Sequence, residues 1–153
     1  MKASLHRQRG IAAIEFAGVF VALFLAFYGI ASFGALLYTH QAVTRSAEDG
    51  ARAMPLLPNG AAPDPVRIRN VVYDSLASSL TVPIAGNGNT ASRRAWIAAH
   101  VDVLVTPGGA NATTVSVRYH HSDNQLMPSI PMFDVARWMP SLLIGRATLA
   151  HQP

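Results

Sequence analysis

The chain has 153 residues, half of them hydrophobic and only 13% charged, a balance that suits one membrane helix and one small packed domain. The formal charge of +4 is not a nucleic-acid patch. Lys2, Arg7 and Arg9 supply three of the twelve bases, so from Ile11 onward nine bases face eight acids, 9 − 8 = +1. The chain has no cysteine, which excludes disulfides and thiolate metal sites and leaves the compartment open.

In chain order, Met1–Gly10 (MKASLHRQRG) is short, polar and basic, and basic residues on the N-terminal side of a membrane helix keep that side cytoplasmic. Phe16 to Tyr38 then runs 23 residues without a charge. At about 1.5 Å per residue such a run crosses the roughly 30 Å hydrocarbon core of a bilayer. It is too long for the apolar core of an ordinary secretory signal, and no clean A-x-A site follows it. Glu15 stands just inside the apolar stretch, where a carboxylate is costly and usually has a partner.

The basic leader, Gly10, the apolar Ile11, Glu15 five residues past the glycine and the adjacent Phe16 resemble the processing site of type IV pilins. The longer string RGIAAIEFAGVFVALFLAFYGIASFGALLYTHQAVTRSAEDGARA is similar to the opening of the TadE/TadF pseudopilins of the tight-adherence (Flp) pilus system. The Glu15-Phe16 pair, the Phe33-Gly34 step and the Ala47–Arg52 ending carry the likeness. The resemblance implies cleavage between Gly10 and Ile11 by a prepilin peptidase. It also implies a Glu15 that contacts the new amine of a neighbouring subunit or aids recruitment to the assembly. Implied partners are that peptidase, the major pilin, other pseudopilins and the lipid of the inner membrane.

At 100° per residue, Glu15, Gly18, Ala22, Ala26, Gly29 and Ser32 share one face, with Phe16, Phe20, Phe24 and Phe27 roughly opposite. Small residues in a stripe let a second helix approach closely in lipid. Val43, Ala47, Ala51 and Met54 continue a helical stripe beyond the membrane, with Gly50 as its expected weak point, until Pro55 stops it. The expected organisation is therefore a leader over 1–10, a transmembrane helix over 11–38, a stalk extension over 39–54, a linker over 55–64 and an exported domain over 65–153.

Asp64-Pro65 reads as an N-cap followed by proline in the first turn. Ile68, Val72, Leu76 and Leu80 predict an amphipathic helix of about four turns. Pro83 to Ser92 reads as a loop and Trp96 to Thr106 as a strand that alternates late in its run. Thr113 to His121 alternates again, with Val115, Val117 and Tyr119 inward, so the two predict a hairpin around the Pro107–Ala112 turn. Asp134 is placed to cap a short helix ending at Pro140, and Leu142 to Ala150 reads as a third strand. Its wording, LLIGRATLAHQ, is loosely similar to the closing segment of TadE-like proteins, with Gln152 where an acidic residue often stands. The fold class is α+β: a long N-terminal transmembrane helix continuing into a stalk, then a small domain with an amphipathic helix packed on an antiparallel sheet. The core of that domain is thin, so docking onto the 39–54 helix is expected to add to it.

No enzyme signature frames a nucleophile. His120 and His121 would point to opposite faces of a strand and read as surface histidines rather than ligands. Gly86-Asn-Gly88 and Gly108-Gly109 lack the strand–loop–helix setting of phosphate cradles. Asn111-Ala-Thr113 formally fits a glycosylation acceptor and reads as turn chemistry. No catalytic residue, metal, cofactor or nucleic-acid partner is expected. The rival to a peptidase-processed pseudopilin is an uncleaved single-pass protein whose small exported domain binds a ligand or an envelope partner.

Overall fold

A computed structural model of the chain describes residues 5–53, 64–83, 88–107, 112–124, 126–127 and 135–150. Its elements are helices α1 (Leu5–Arg52), α2 (Pro65–Ser78) and α3 (Thr90–His100), strands β1 (Val101–Pro107) and β2 (Ala112–His120), a 3-10 turn (Val135–Trp138) and strand β3 (Leu142–Ala150). The chain forms two compact units, 1–34 and 35–153, so α1 contributes to both.

In the first unit α1 is predominantly apolar, and most of its large side chains from Ile11 to Phe33 are exposed, with Leu25 and Tyr28 half-buried. A soluble helix hides one such stripe; one that is apolar all round belongs in a core or in lipid. Among the described residues this helix alone is long and apolar enough to cross a membrane.

In the second unit α1 changes character. Val43 and Ala47 are fully buried and Ala51 nearly so, and they join Ile68, Val72 and Leu76 of α2, Ile97 of α3 and the inner face of the sheet in one core. The docking that the thin core calls for is thus present. Two hydroxyls buried on this face, Thr39 and Ser46, are satisfied within α1 itself, donating to the carbonyls of Ala35 (2.9 Å) and Val43 (2.8 Å). Asp49 accepts a 2.7 Å hydrogen bond from Ser75, tying α1 to α2.

The sheet has the order β1-β2-β3 and is antiparallel throughout. Val103 faces Val117 and Val117 faces Gly145; Val101 faces Tyr119 and Tyr119 faces Leu143. The inward alternation expected for Val115, Val117 and Tyr119 holds, with Arg118 and His120 exposed. The hairpin turn at 108–111, most of the linker and Asp134 lie outside the described residues.

Two glycines set the spacing. A Cβ on Gly145 would lie 2.6 Å from the Val43 carbonyl oxygen and 2.8 Å from the Thr44 Cα, so the α1 backbone rests directly on β3. A Cβ on Gly50 would lie 2.7 Å from Val72 Cγ2. Gly50 is therefore a packing residue inside an intact helix, not the weak point that helix propensity suggests.

The cap at Asp64 is as expected: its carboxylate accepts from the Val66 N–H at 2.9 Å, with Pro65 opening the helix. Three other expectations are corrected. First, α2 ends at Ser78, and Leu80 falls beyond it, 64% exposed. The hydroxyl and N–H of Ser79 both turn back to the Leu76 carbonyl and close the helix before Leu80 can extend the stripe.

Second, Thr90 to His100 is a helix, where loop and strand are expected from the sequence. Asn89 caps it by accepting from the N–H (2.8 Å) and hydroxyl (2.9 Å) of Ser92. Its core residue is Ile97, while Trp96 stacks on His100 four positions on, with ring centroids 4.3 Å apart. Third, His121 is only 4% exposed, not a surface residue; its N–H donates to the Ser141 carbonyl at 2.8 Å.

Tyr119 closes one end of the domain. Its hydroxyl lies 3.0 Å from the carbonyls of both Thr81 and Asn124 and shares its one proton between them. Burial pushes its pKa well above the ordinary tyrosine value, so it remains a donor throughout the working range.

Gly145→Ala should destabilise the domain by about 1–3 kcal/mol, since backbone atoms must retreat from the new methyl. Thr148→Ala, exposed on the same strand, should change the melting temperature little. Circular dichroism melts of the full chain in detergent test the pair; equal melting points would refute the seat of α1 on β3.

A pH dependence follows from His121, whose pKa is lowered from 6.5 by burial and whose Nδ1 has no hydrogen-bond partner among the described residues. Between the lower folded value and the ordinary unfolded one, the unfolded state binds more protons. Stability contributed by neutral His121 is therefore complete above the unfolded value and falls as pH drops through that window. Denaturant melts at pH 7 and 5 should show the loss in the native protein and a smaller one in His121→Gln. An unchanged loss in the variant would assign it to other groups.

Candidate assembly segment of the N-terminal helix

The residues singled out from the sequence all lie on one uninterrupted helix, from Gly10 and Ile11 through Glu15 and Phe16 to Gly29. The helical period that gathers Glu15, Gly18, Ala22, Ala26 and Gly29 on one face is therefore realised. Phe16 lies off that face, its ring 6.2 Å from Phe20.

The environment of the glycines is informative. A Cβ on Gly10, Gly18, Gly29 or Gly34 would meet nothing within 4 Å. The glycines of the second unit, Gly50 and Gly145, have neighbours that would collide with a side chain. Among the described residues nothing requires small residues at Gly18 or Gly29, although each glycine weakens a helix by roughly 0.8–1.0 kcal/mol relative to alanine.

Ile11 and Glu15 stand four residues apart, so the carboxylate lies one turn along and nearly on the face of Ile11. Glu15 is exposed and makes no ion pair among the described residues. In lipid that state is costly, and a cation from another molecule would offset part of the cost.

A polar surface of the second unit is not evident from the membrane pattern. His40, Gln41, Thr44, Arg45, Glu48, Asp49 and Arg52 line an open depression of about 530 Å³ on α1. The recurrence of polar residues at 41, 45, 48 and 52 is the signal that identifies it. Arg52 and Glu48 approach only to 3.9 Å with both side chains largely exposed, an arrangement worth little. Elsewhere Arg94 bridges α3 to α2, 2.5 Å from Asp74 and 3.0 Å from Asn70, again at the surface. Among the described residues no group of three or more His, Asp or Glu side chains could hold a metal ion.

No curated protein and no solved structure matches the chain. A family model does: that of the TadE-like proteins, over residues 10–52. The match begins at the glycine of the expected cleavage site and stops at the last residue of α1, and together with the long apolar helix it fits a membrane-anchored, pilus-related protein. Over that segment, and at the level of family, the chain is similar to the TadE-like proteins, the pseudopilin group that its opening residues resemble.

Proposed function

We propose that this protein is a minor pilin-like subunit of a tight-adherence pilus or related secretion apparatus, cut by a prepilin peptidase after Gly10 and acting in pilus assembly or anchoring. The observation that carries this reading is the TadE-like match over residues 10–52 on a helix whose apolar side chains are largely exposed. In this reading residues 1–10 are a cytoplasmic leader, 11–38 cross the inner membrane, 39–54 form a stalk, 55–64 a linker, and 65–153 lie in the periplasm. The basic leader supports that orientation. The peptidase, the major pilin and other pseudopilins are the partners.

Glu15, Phe16, Gly18, Ala22, Ala26 and Gly29 form the assembly face in this proposal. The open space around the two glycines supports it, because a helix of a neighbouring subunit could approach there as closely as backbones allow. The amine created at Ile11 of a neighbour would give Glu15 its cation, and the pair would set the register of the two helices.

Processing is tested at Gly10. Gly10→Val should leave a full-length band in a strain with active peptidase, heavier than the processed form by the mass of the leader. Identical migration of the two proteins, with Met1 at the N-terminus of both, would instead favour the uncleaved single-pass reading.

Glu15 is tested by separating insertion from assembly. Glu15→Leu should insert at least as well, since removing a charge favours insertion by up to about 3 kcal/mol at the bilayer centre and less near the interface. Pilus-dependent adherence should nonetheless fall. Wild-type adherence at equal protein level would rule out the assembly role.

A further inference from the structure

One end of the second unit carries large apolar side chains that no described residue covers. Leu80, just past α2, is 64% exposed, and its N–H donates to the Tyr38 hydroxyl at 3.1 Å. The next residue, Thr81, accepts from the Tyr119 hydroxyl, which brings the C-terminal end of β2 to the same level. Two residues beyond Tyr119, the His121 N–H reaches the Ser141 carbonyl. Three residues before Ser141 stands Trp138, 84% exposed. Leu37, beside Tyr38, is exposed as well. The opposite end of the unit, where Gly50 meets Val72 and Val115, lies about 18 Å farther along α1.

Leu37 and Tyr38 are also the last residues of the uncharged run. Leu80 therefore sits beside the residue at which that run ends, and Trp138 stands within a few residues of the contacts that hold Leu80 in place. An indole combines a large apolar body with one N–H donor, which suits the headgroup boundary of a bilayer better than bulk water. Arg137 beside it is exposed. The attraction to lipid is apolar first.

We propose that Leu80 and Trp138 insert into the headgroup boundary of the bilayer that holds α1, so that the partner of this end of the domain is the lipid surface itself. The inference rests on the membrane-anchor reading of α1. It gives Leu80 a reason to be apolar outside the helix whose stripe it appears to continue, and gives the same to Trp138 in a turn that does not bury it.

The chain has two tryptophans, Trp96 and Trp138, so the signal lost on Trp138→Phe reports Trp138 alone. The full chain and this variant are reconstituted into phosphatidylethanolamine–phosphatidylglycerol vesicles. Their lipids carry bromine either near the headgroup end of the acyl chain or near its terminal methyl. The expected result is a blue-shifted Trp138 signal that loses roughly half its intensity to the shallow bromines and less to the deep ones. Raising the salt concentration should leave the quenching in place. Water-like emission from Trp138, unquenched in vesicles that float with the protein, would overturn the inference while leaving the anchor intact, and would point to a protein partner for this end. Failure of the protein to float with the vesicles would overturn the anchor and this inference together.

Discussion

The seat of the α1 backbone on Gly145 is the contact on which the folded domain depends. A three-stranded sheet with two short helices has too little apolar area to close a core alone. The last five turns of α1 supply the missing layer, and they can do so only because the backbones meet. Val43 and Thr44 lie against a residue with no side chain, while Ala47, Gly50 and Ala51 keep the next turns close enough for Val72 and Val115 to pack. Ser46 and Thr39 belong to the same solution, small polar residues whose hydroxyls are returned to their own helix. Larger side chains on this face would lift α1 from the sheet.

One continuous helix therefore carries two different reasons for small residues. Near its C-terminal end they are explained by measurable contacts inside the chain. At Gly18 and Gly29 no such contact exists among the described residues, and helix propensity alone would favour alanine there. In the proposed assembly, glycine on the face that also bears the Glu15 carboxylate would let another helix approach closely. The TadE-like match spans both halves of α1.

The parts of the fold legible in the sequence were those with a strong local period or a strong local breaker. The uncharged run, the Asp64-Pro65 start and the alternation of Val115, Val117 and Tyr119 each state their structure within a few residues. What could not be read lacks such a mark. Between α3 and β1 there is no glycine or proline: His100 ends the helix and Val101 starts the strand. The alternation of Val101, Val103 and Val105 therefore extends backwards over Trp96 when the sequence alone is read, although Asn89 with Ser92 three positions on is a cap signal. Leu80 fits the α2 period perfectly and still lies outside it, because Ser79 closes the helix first. The role of Gly145 is a tertiary fact that no window on β3 reveals. Gly10, Glu15 and the stripe were legible as a pattern, and their placement on one helix follows from it. Their use does not, because the proposed processing and assembly involve other molecules.

The two departures Leu80 and Trp138 bear on how the domain is held. A domain tethered by one helix and otherwise surrounded by water has no reason to leave a leucine and a tryptophan largely exposed. Scattered exposed apolar residues are ordinary on proteins. These two are distinguished by the directional contacts made close to them: the Leu80 N–H on Tyr38, the Tyr119 hydroxyl on Thr81, and the His121 N–H on Ser141. The same contacts that close the core at Tyr119 thus also reach the segments that carry Leu80 and Trp138. A substitution at Tyr119 would be felt around Leu80 as well as in stability, because the hydroxyl joins the turn that follows β2 to the turn that carries Leu80.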